Sequence, residues 1–253
     1  MTTWDPDRYL TYADERGRPF VDLVSRVAAA DPATVVDLGC GPGNLTRLLL
    51  DRWPDATVTG VDSSPEMVAG ARANGIDARV QDLRDWIEET PEGSVDVVVS
   101  NAMLQWVPGH LDLLPALAAR ARRWLAFQVP GNFDEPSHTL RTDLSAQEPY
   151  AAHAAGLVEP SSHDPETYWR ALTGAGLEVD AWETTYLHVL PGEDAVLDWI
   201  AGTSLRPTRA ALPADLWPAY EDELRRRLRA AYPARDGRVL MPFRRVFAVA
   251  RVP

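Results

Sequence analysis

Three glycines alternate in the segment V-V-D-L-G-C-G-P-G-N, residues 35 to 44. Gly39, Gly41 and Gly43 bring no side chains, so the backbone here can approach a ligand closely between a strand and the helix that follows. Asp37 stands two residues before the first of them, and this G-x-G-x-G spacing differs from the G-x-G-x-x-G of dinucleotide folds. Pro42 stiffens the turn. A pyrophosphate calls for free amides at a helix N-terminus, whereas a carboxylate facing the site favours a cation such as an amino group or a sulfonium. The bland alternative is a tight structural turn in which Asp37 caps. Cys40, inside the turn, reads as a small buried residue without special reactivity.

Two more acidic residues follow at corresponding places. Asp62 ends the second apolar run about twenty residues after the loop, where a carboxylate can accept from both ribose hydroxyls. Asp82 ends the third, in V-Q-D-L, where it can accept from an exocyclic adenine amine while Leu83 donates its backbone amide. After the fourth run, Asn101, Gln105 and Trp106 of N-A-M-L-Q-W line the same mouth, although Trp106 reads equally well as core packing.

Positioning these groups falls to short apolar runs alternating with helical periodicity. Strands are predicted over 34–39, 56–62, 78–82, 94–101 and 123–130, and helices over 18–29, 44–53, 64–73 and 111–121, with Ser64 as N-cap and Pro65 in the first turn of the third. That alternation predicts an α/β domain whose parallel sheet is covered on both faces, with ligands beyond the carboxyl ends of the strands. Residues 131–165 read as irregular or short helical insertions. A helix over 164–174, a strand over 177–190, helices over 193–201 and 213–231 and a last strand over 244–252 complete the chain. The two final strands fit an antiparallel hairpin on the sheet edge whose connection is expanded into a helical cap.

Composition narrows the classes. A chain of 253 residues can bury a full core, and no apolar run reaches the roughly 18 residues that span a bilayer. The N-terminal M-T-T-W-D-P-D-R-Y-L gives no secretory signal, and one cysteine excludes an intramolecular disulfide framework or a cysteine-cluster zinc site, which suits a cytoplasmic protein. The net charge of −12 argues against a nucleic-acid partner. All 25 basic residues are arginine, so Schiff-base lysine chemistry and a Walker lysine are excluded. His110, His138, His153, His163 and His188 lack metal-ligand spacing, so no metal site is expected, and His188 reads as structural.

The segments D-L-G-C-G-P-G-N, G-V-D-S-S-P-E-M and N-A-M-L-Q-W resemble the class I S-adenosylmethionine-dependent methyltransferases. W-D-P-D-R-Y-L, E-R-G-R-P, W-E-T-T-Y-L-H, D-W-I-A-G-T-S-L-R-P and the final R-R-V-F-A-V-A-R carry the likeness end to end, toward the subgroup that esterifies small carboxylates such as trans-aconitate. The resemblance implies a Rossmann-like, mostly parallel sheet of seven strands with an antiparallel edge hairpin and helical cap insertions. A single domain over 1–253 is expected, with a cofactor-binding core at about 30–130 and a C-terminal part, 131–253, that completes the sheet and forms the cap. It implies S-adenosylmethionine as cofactor and S-adenosylhomocysteine as product, contacted by Asp37, Gly39, Cys40, Gly41, Gly43, Asp62, Ser63, Met67, Asp82, Leu83, Asn101 and Gln105.

No general base is expected, because a carboxylate nucleophile is already ionised at neutral pH; Gln105 and Trp106 would act by positioning alone. A polyanionic substrate on an acidic protein demands a locally basic pocket. Arg206 in S-L-R-P and Arg245 before the last strand lead, followed by Arg16 and Arg18, with Trp106 alongside. Arg225, Arg226, Arg227 and Arg229 read instead as a solvated helix face with Glu221 and Glu223. A small-molecule carboxylate is the expected partner, with no nucleic acid or membrane, and a monomer fits. The alternatives are an O-methyltransferase with another small acceptor and an NAD-binding oxidoreductase.

Overall fold

The computed structural model describes residues 13–253, with all of their side chains except those of Ala13, Asp14 and Arg16; the substrate contact expected at Arg16 lies outside the described residues. In chain order the elements are α1 (Ala13–Ser25), β1 (Thr34–Leu38), α2 (Thr46–Arg52), β2 (Thr57–Asp62), α3 (Pro65–Ala73), β3 (Asp77–Val80), α4 (Leu83–Glu89), β4 (Val95–Asn101), α5 (His110–Arg120) and β5 (Ala121–Pro130). Then come α6 (Pro136–Ser145), α7 (Ala151–Ala154), α8 (Pro165–Gly174), β6 (Glu178–Pro191), α9 (Ala195–Ala201), α10 (Arg206–Ala211), α11 (Trp217–Ala231) and β7 (Arg238–Arg251). These build two compact units.

The larger unit comprises residues 13–131, 162–184 and 245–253. The seven-stranded sheet has the order β3-β2-β1-β4-β5-β7-β6. Strands β1 to β5 pair in parallel, as their continuous apolar runs require of a sheet buried on both faces. On one face, Val98, Leu125 and Phe127 of the sheet pack with Leu114 and Leu117 of α5 and Tyr168 and Leu172 of α8. At the strand-entry end, the Asp96 carboxylate accepts from the amides of Ala33 (2.7 Å) and Thr34 (3.1 Å) and from Arg122 Nε (2.7 Å), tying β4 to β1 and β5.

Three expectations need correcting. The two final strands lie together at one edge of the sheet, as expected, with β7 antiparallel to β5 and β6 outermost, but β7 begins at Arg238 rather than at 244. Alternation of buried Val239, Met241 and Phe243 with exposed neighbours explains the longer strand. The opening helix spans Ala13–Ser25 rather than 18–29, because the amides of Arg26 and Val27 turn back to the carbonyls of Leu23 and Val24 and close the helix in a tight final turn. Strand β3 stops at Val80, and Asp82 opens the unexpected helix α4 instead of ending a strand.

The smaller unit includes residues 132–161 and 185–244. Its core gathers Trp199 and Ile200 of α9, Leu224 and Leu228 of α11, and Val239, Met241 and Phe243 of β7. Arg141 of α6 is buried there in an ion pair with Glu159, its backbone carbonyl accepting from the Tyr220 hydroxyl at 3.1 Å. His188 is buried against Trp199 and Phe243. On α11, Arg225 and Arg226 pair with Asp222 and Glu223, and Arg227 with Glu223, while Arg229 reaches Asp194. Among the described residues, no helix is long and apolar enough to cross a membrane.

Candidate active site

The three glycines of the first loop are needed for different reasons, although all have positive φ, at 76°, 55° and 79°. A Cβ on Gly39 would lie 2.4 Å from Met103 Cβ, and one on Gly43 would lie 2.7 Å from Ile76 Cγ1, so both are packed against the protein itself. A Cβ on Gly41 would meet nothing within 4 Å. Gly41 is therefore the point at which the backbone is bare towards open space. Its amide donates to Asp62 Oδ2 at 2.9 Å, while the amides of Gly39 and Cys40 share the Val61 carbonyl. The turn is thus held by β2, and Cys40 is buried beneath it with its thiol pKa pushed up by burial and by Asp37 and Asp62.

The acidic residues differ in environment. Asp37, in the penultimate position of β1, is only 2% exposed and accepts from Thr46 Oγ1 at 2.6 Å. Burial, opposed by that hydrogen bond and assisted by the negative charge of Asp62, pushes its pKa up to about 6. Asp62 is half-buried at the end of β2, and its second oxygen accepts from the Ser64 amide at 2.9 Å; burial raises its pKa as well. Asp82 is exposed, with Oδ1 accepting from the Arg84 amide at 2.8 Å as the N-cap of α4, and Leu83 is the first residue of that helix. Ser63 is exposed, and Met67 is buried in α3, whose N-cap Ser64 accepts the Met67 amide as the sequence foretold.

At the exit of β4, Asn101 is followed by Ala102 at φ 55°, a left-handed backbone that redirects the chain into the short helical turn Leu104–Trp106. Gln105 is 5% exposed; its Nε2 donates to the Ala102 carbonyl at 2.5 Å, and Trp106 is half-buried. Among the described residues, Asn101 Oδ1 and Gln105 Oε1 are buried acceptors with no hydrogen-bond donor. Gln128 lies directly across from Asn101 in the β4–β5 register, and Arg245, 5% exposed, reaches Gln128 Oε1 with Nη1 at 3.4 Å. The sequence reading overlooked Gln128. Its signal was present as the lone polar residue in the buried stretch Leu125–Val129.

Strand order and register thus set Asp37, the glycine turn, Asp62, Asn101, Gln128 and Arg245 along one end of the sheet. Of the other expected arginines, Arg18 is exposed on α1, and Arg206 opens α10 in the smaller unit.

Known proteins bear on what this end of the sheet serves. The methyltransferase-domain family matches residues 12–181. A trans-aconitate 2-methyltransferase of Mycolicibacterium gilvum is 55% identical, the alignment covering 98% of this chain and 99% of the relative. The chain belongs to the S-adenosylmethionine-dependent methyltransferases. A trans-aconitate 2-methyltransferase of Rhodococcus jostii is 52% identical over 98% of this chain and 99% of its own. The fold resembles a SAM dependent methyltransferase of Archaeoglobus fulgidus, with a TM-score of 0.53, 12% identity and coverage of 96% and 97%.

The residues present fit the cofactor of that family on their own chemistry. Two carboxylates whose proton affinity burial raises, that of Asp37 further raised by Asp62, beside two buried amide oxygens lacking donors, make an acceptor-rich surface that a group carrying positive charge and N–H donors would satisfy. The open side of Gly41 admits such a group against the backbone.

Proposed function

We propose that this methyltransferase esterifies trans-aconitate, converting one carboxylate to a methyl ester. The observation that carries the reading is the end-to-end identity of 50–55% to relatives that bear the name trans-aconitate 2-methyltransferase, which includes the segments outside the shared cofactor motifs.

Asp62 would hold the ribose, its carboxylate already oriented by the Gly41 and Ser64 amides. Asp82 and the Leu83 amide would meet the adenine; Gly39, Cys40 and Gly41 supply backbone, and Ser63 and Met67 lie on the α3 side. Asp37, Asn101 and Gln105 would face the cationic end. S-adenosylmethionine, when bound, supplies an electrophilic methyl group whose C–S electron pair departs with sulfur as a neutral thioether. The protein has no proton to remove, since the acceptor is ionised well above its pKa of about 4. Its residues therefore work by alignment and exclusion of water, effects that reach roughly 7–11 kcal/mol when geometry is good.

Arg245 suits a carboxylate that does not react, because pairing a guanidinium with the attacking oxygens would weaken them as nucleophiles. Arg18 and Trp106 are further candidates on this unit. We place the protein in the cytoplasm, free of nucleic-acid and membrane partners; its single cysteine and acidic net charge support this.

Labelled S-adenosylmethionine offered with a panel of acceptors tests the reading. A base-labile methyl product from trans-aconitate is expected, with turnover reduced at least a hundredfold in Arg245→Leu. Efficient methylation of a neutral hydroxyl compound with none of trans-aconitate would replace the substrate by another small acceptor. Binding of NAD without S-adenosylhomocysteine would overturn the class.

A further inference from the structure

Gln128 interrupts a run of buried apolar residues in the middle of the sheet and is 1% exposed. A buried primary amide normally has each of its polar atoms paired, because an unmet N–H keeps the full cost of its lost hydration. Here only the oxygen is engaged. Arg245 has donors alone, so its Nη1, 3.4 Å from Gln128 Oε1, fixes which way the amide is turned and leaves Nε2 on the side away from the guanidinium. Among the described residues, Nε2 has no acceptor.

The neighbour that could have satisfied it does not. Asn101 stands opposite Gln128 on the adjacent parallel strand, and its Oδ1 is a buried acceptor that also lacks a partner. A bond between the two would meet both needs, yet the amide is drawn toward Arg245. Phe247 faces Gln128 across the antiparallel β5–β7 pair, and Arg245, two residues before Phe247, falls on the same sheet face. Phe247 in turn stacks on Trp182, with ring centroids 4.7 Å apart, which gives this face an aromatic wall. Asn101 therefore presents an acceptor, and beside it Gln128 presents a neutral donor adjoining a cation. An anion with two oxygens suits the second arrangement.

We propose that Gln128 determines specificity for the acceptor, its side-chain N–H donating to a carboxylate oxygen next to Arg245. The proposal rests on the reading of the substrate as a small polycarboxylate and adds the group that recognises it. A neutral amide at this place adds a directed hydrogen bond to the non-reacting carboxylate that Arg245 pairs with. Gln128 consequently favours acceptors with a carboxylate over neutral ones of the same size.

The test compares Gln128→Met, which keeps the length and removes the donor, with Gln128→Glu, which replaces the donor by an acceptor. S-adenosylhomocysteine affinity reports whether each variant is folded and should stay within twofold of wild type. KM for trans-aconitate should rise at least tenfold in Gln128→Met and a hundredfold in Gln128→Glu, with kcat changed less than threefold in the former. Unchanged KM in both folded variants overturns the proposal. Should the variants not fold, a crystal structure of the wild-type protein with S-adenosylhomocysteine and trans-aconitate decides: a carboxylate oxygen within hydrogen-bond distance of Gln128 Nε2 supports the proposal, and its absence overturns it. If the wild-type protein methylates no carboxylate at all, the proposed substrate fails first, and that result is distinct from a normal wild type with insensitive variants.

Discussion

Protonation of Asp37 should govern how tightly the cofactor product binds. In the free protein its pKa is pushed up to about 6, chiefly by burial, against a reference of 3.8. A cationic group seated beside it stabilises the ionised form, so binding should return the pKa toward its ordinary value. A shift of about two units corresponds to about 3 kcal/mol, or roughly a hundredfold in affinity. Because Asp37 is almost wholly shielded from solvent, screening does not reduce that figure appreciably. The sign follows from proton counting. Below about pH 4 both free and bound forms are protonated and the charge contributes nothing; between about 4 and 6 affinity for S-adenosylhomocysteine rises by about tenfold per pH unit; above 6 it levels off. The unliganded protein behaves oppositely, since its folded state holds a proton that the unfolded state has released, and it loses stability as pH rises through the same window. Titration calorimetry between pH 5 and 7.5, in buffers of different ionisation enthalpy, should show the tightening and the release of a proton near pH 5. Asp37→Asn should remove most of the slope, with a remainder from Asp62, whose pKa is raised in the same direction. Equal affinity at pH 5 and 7.5 with no proton release would refute the reasoning.

Other expectations follow from the same geometry. Gly41→Ala should cost only about 1–2 kcal/mol, from its positive φ, in thermal unfolding, yet weaken S-adenosylhomocysteine at least tenfold, because the new methyl points into open space. Gly39→Ala should cost roughly 2–4 kcal/mol from the collision with Met103, and equal stability losses in the two variants would contradict their assigned roles. Tyr168→Phe should cost about 1–3 kcal/mol in urea unfolding, since the hydroxyl serves both His110 Nε2 at 2.8 Å and the His163 amide at 3.1 Å; an unchanged midpoint would show that neither bond matters.

Much of this architecture was legible because local and global signals agree. The β1-to-α3 stretch reads directly, since apolar runs, the glycine turn and the Ser64-Pro65 start all dictate the same strand–turn–helix repeat. Failures came where tertiary partners decide. Asp82 looked like a strand end because the residues before it alternate, but a carboxylate followed by L-R-D-W-I-E-E is also an N-cap, and burial of Leu83, Trp86 and Ile87 settles the helix. The first half of β7, residues 238–243, was missed because its alternation takes its meaning from the core it joins with Trp199 and Ile200 of α9. Asp37, Asp62 and Asn101 could be singled out as candidates from their positions at strand ends, whereas Gln128 went unseen because its meaning depends on Arg245, 117 residues away in sequence.

The row of acceptors at the sheet end is tested most directly by a crystal structure with S-adenosylhomocysteine. The ribose hydroxyls are expected on the Asp62 carboxylate, the amino group beside Asp37 and Asn101, and the backbone of Gly41 in van der Waals contact with the ligand. Ligand density elsewhere on the protein, with Asp62 and Gly41 untouched, would contradict the account.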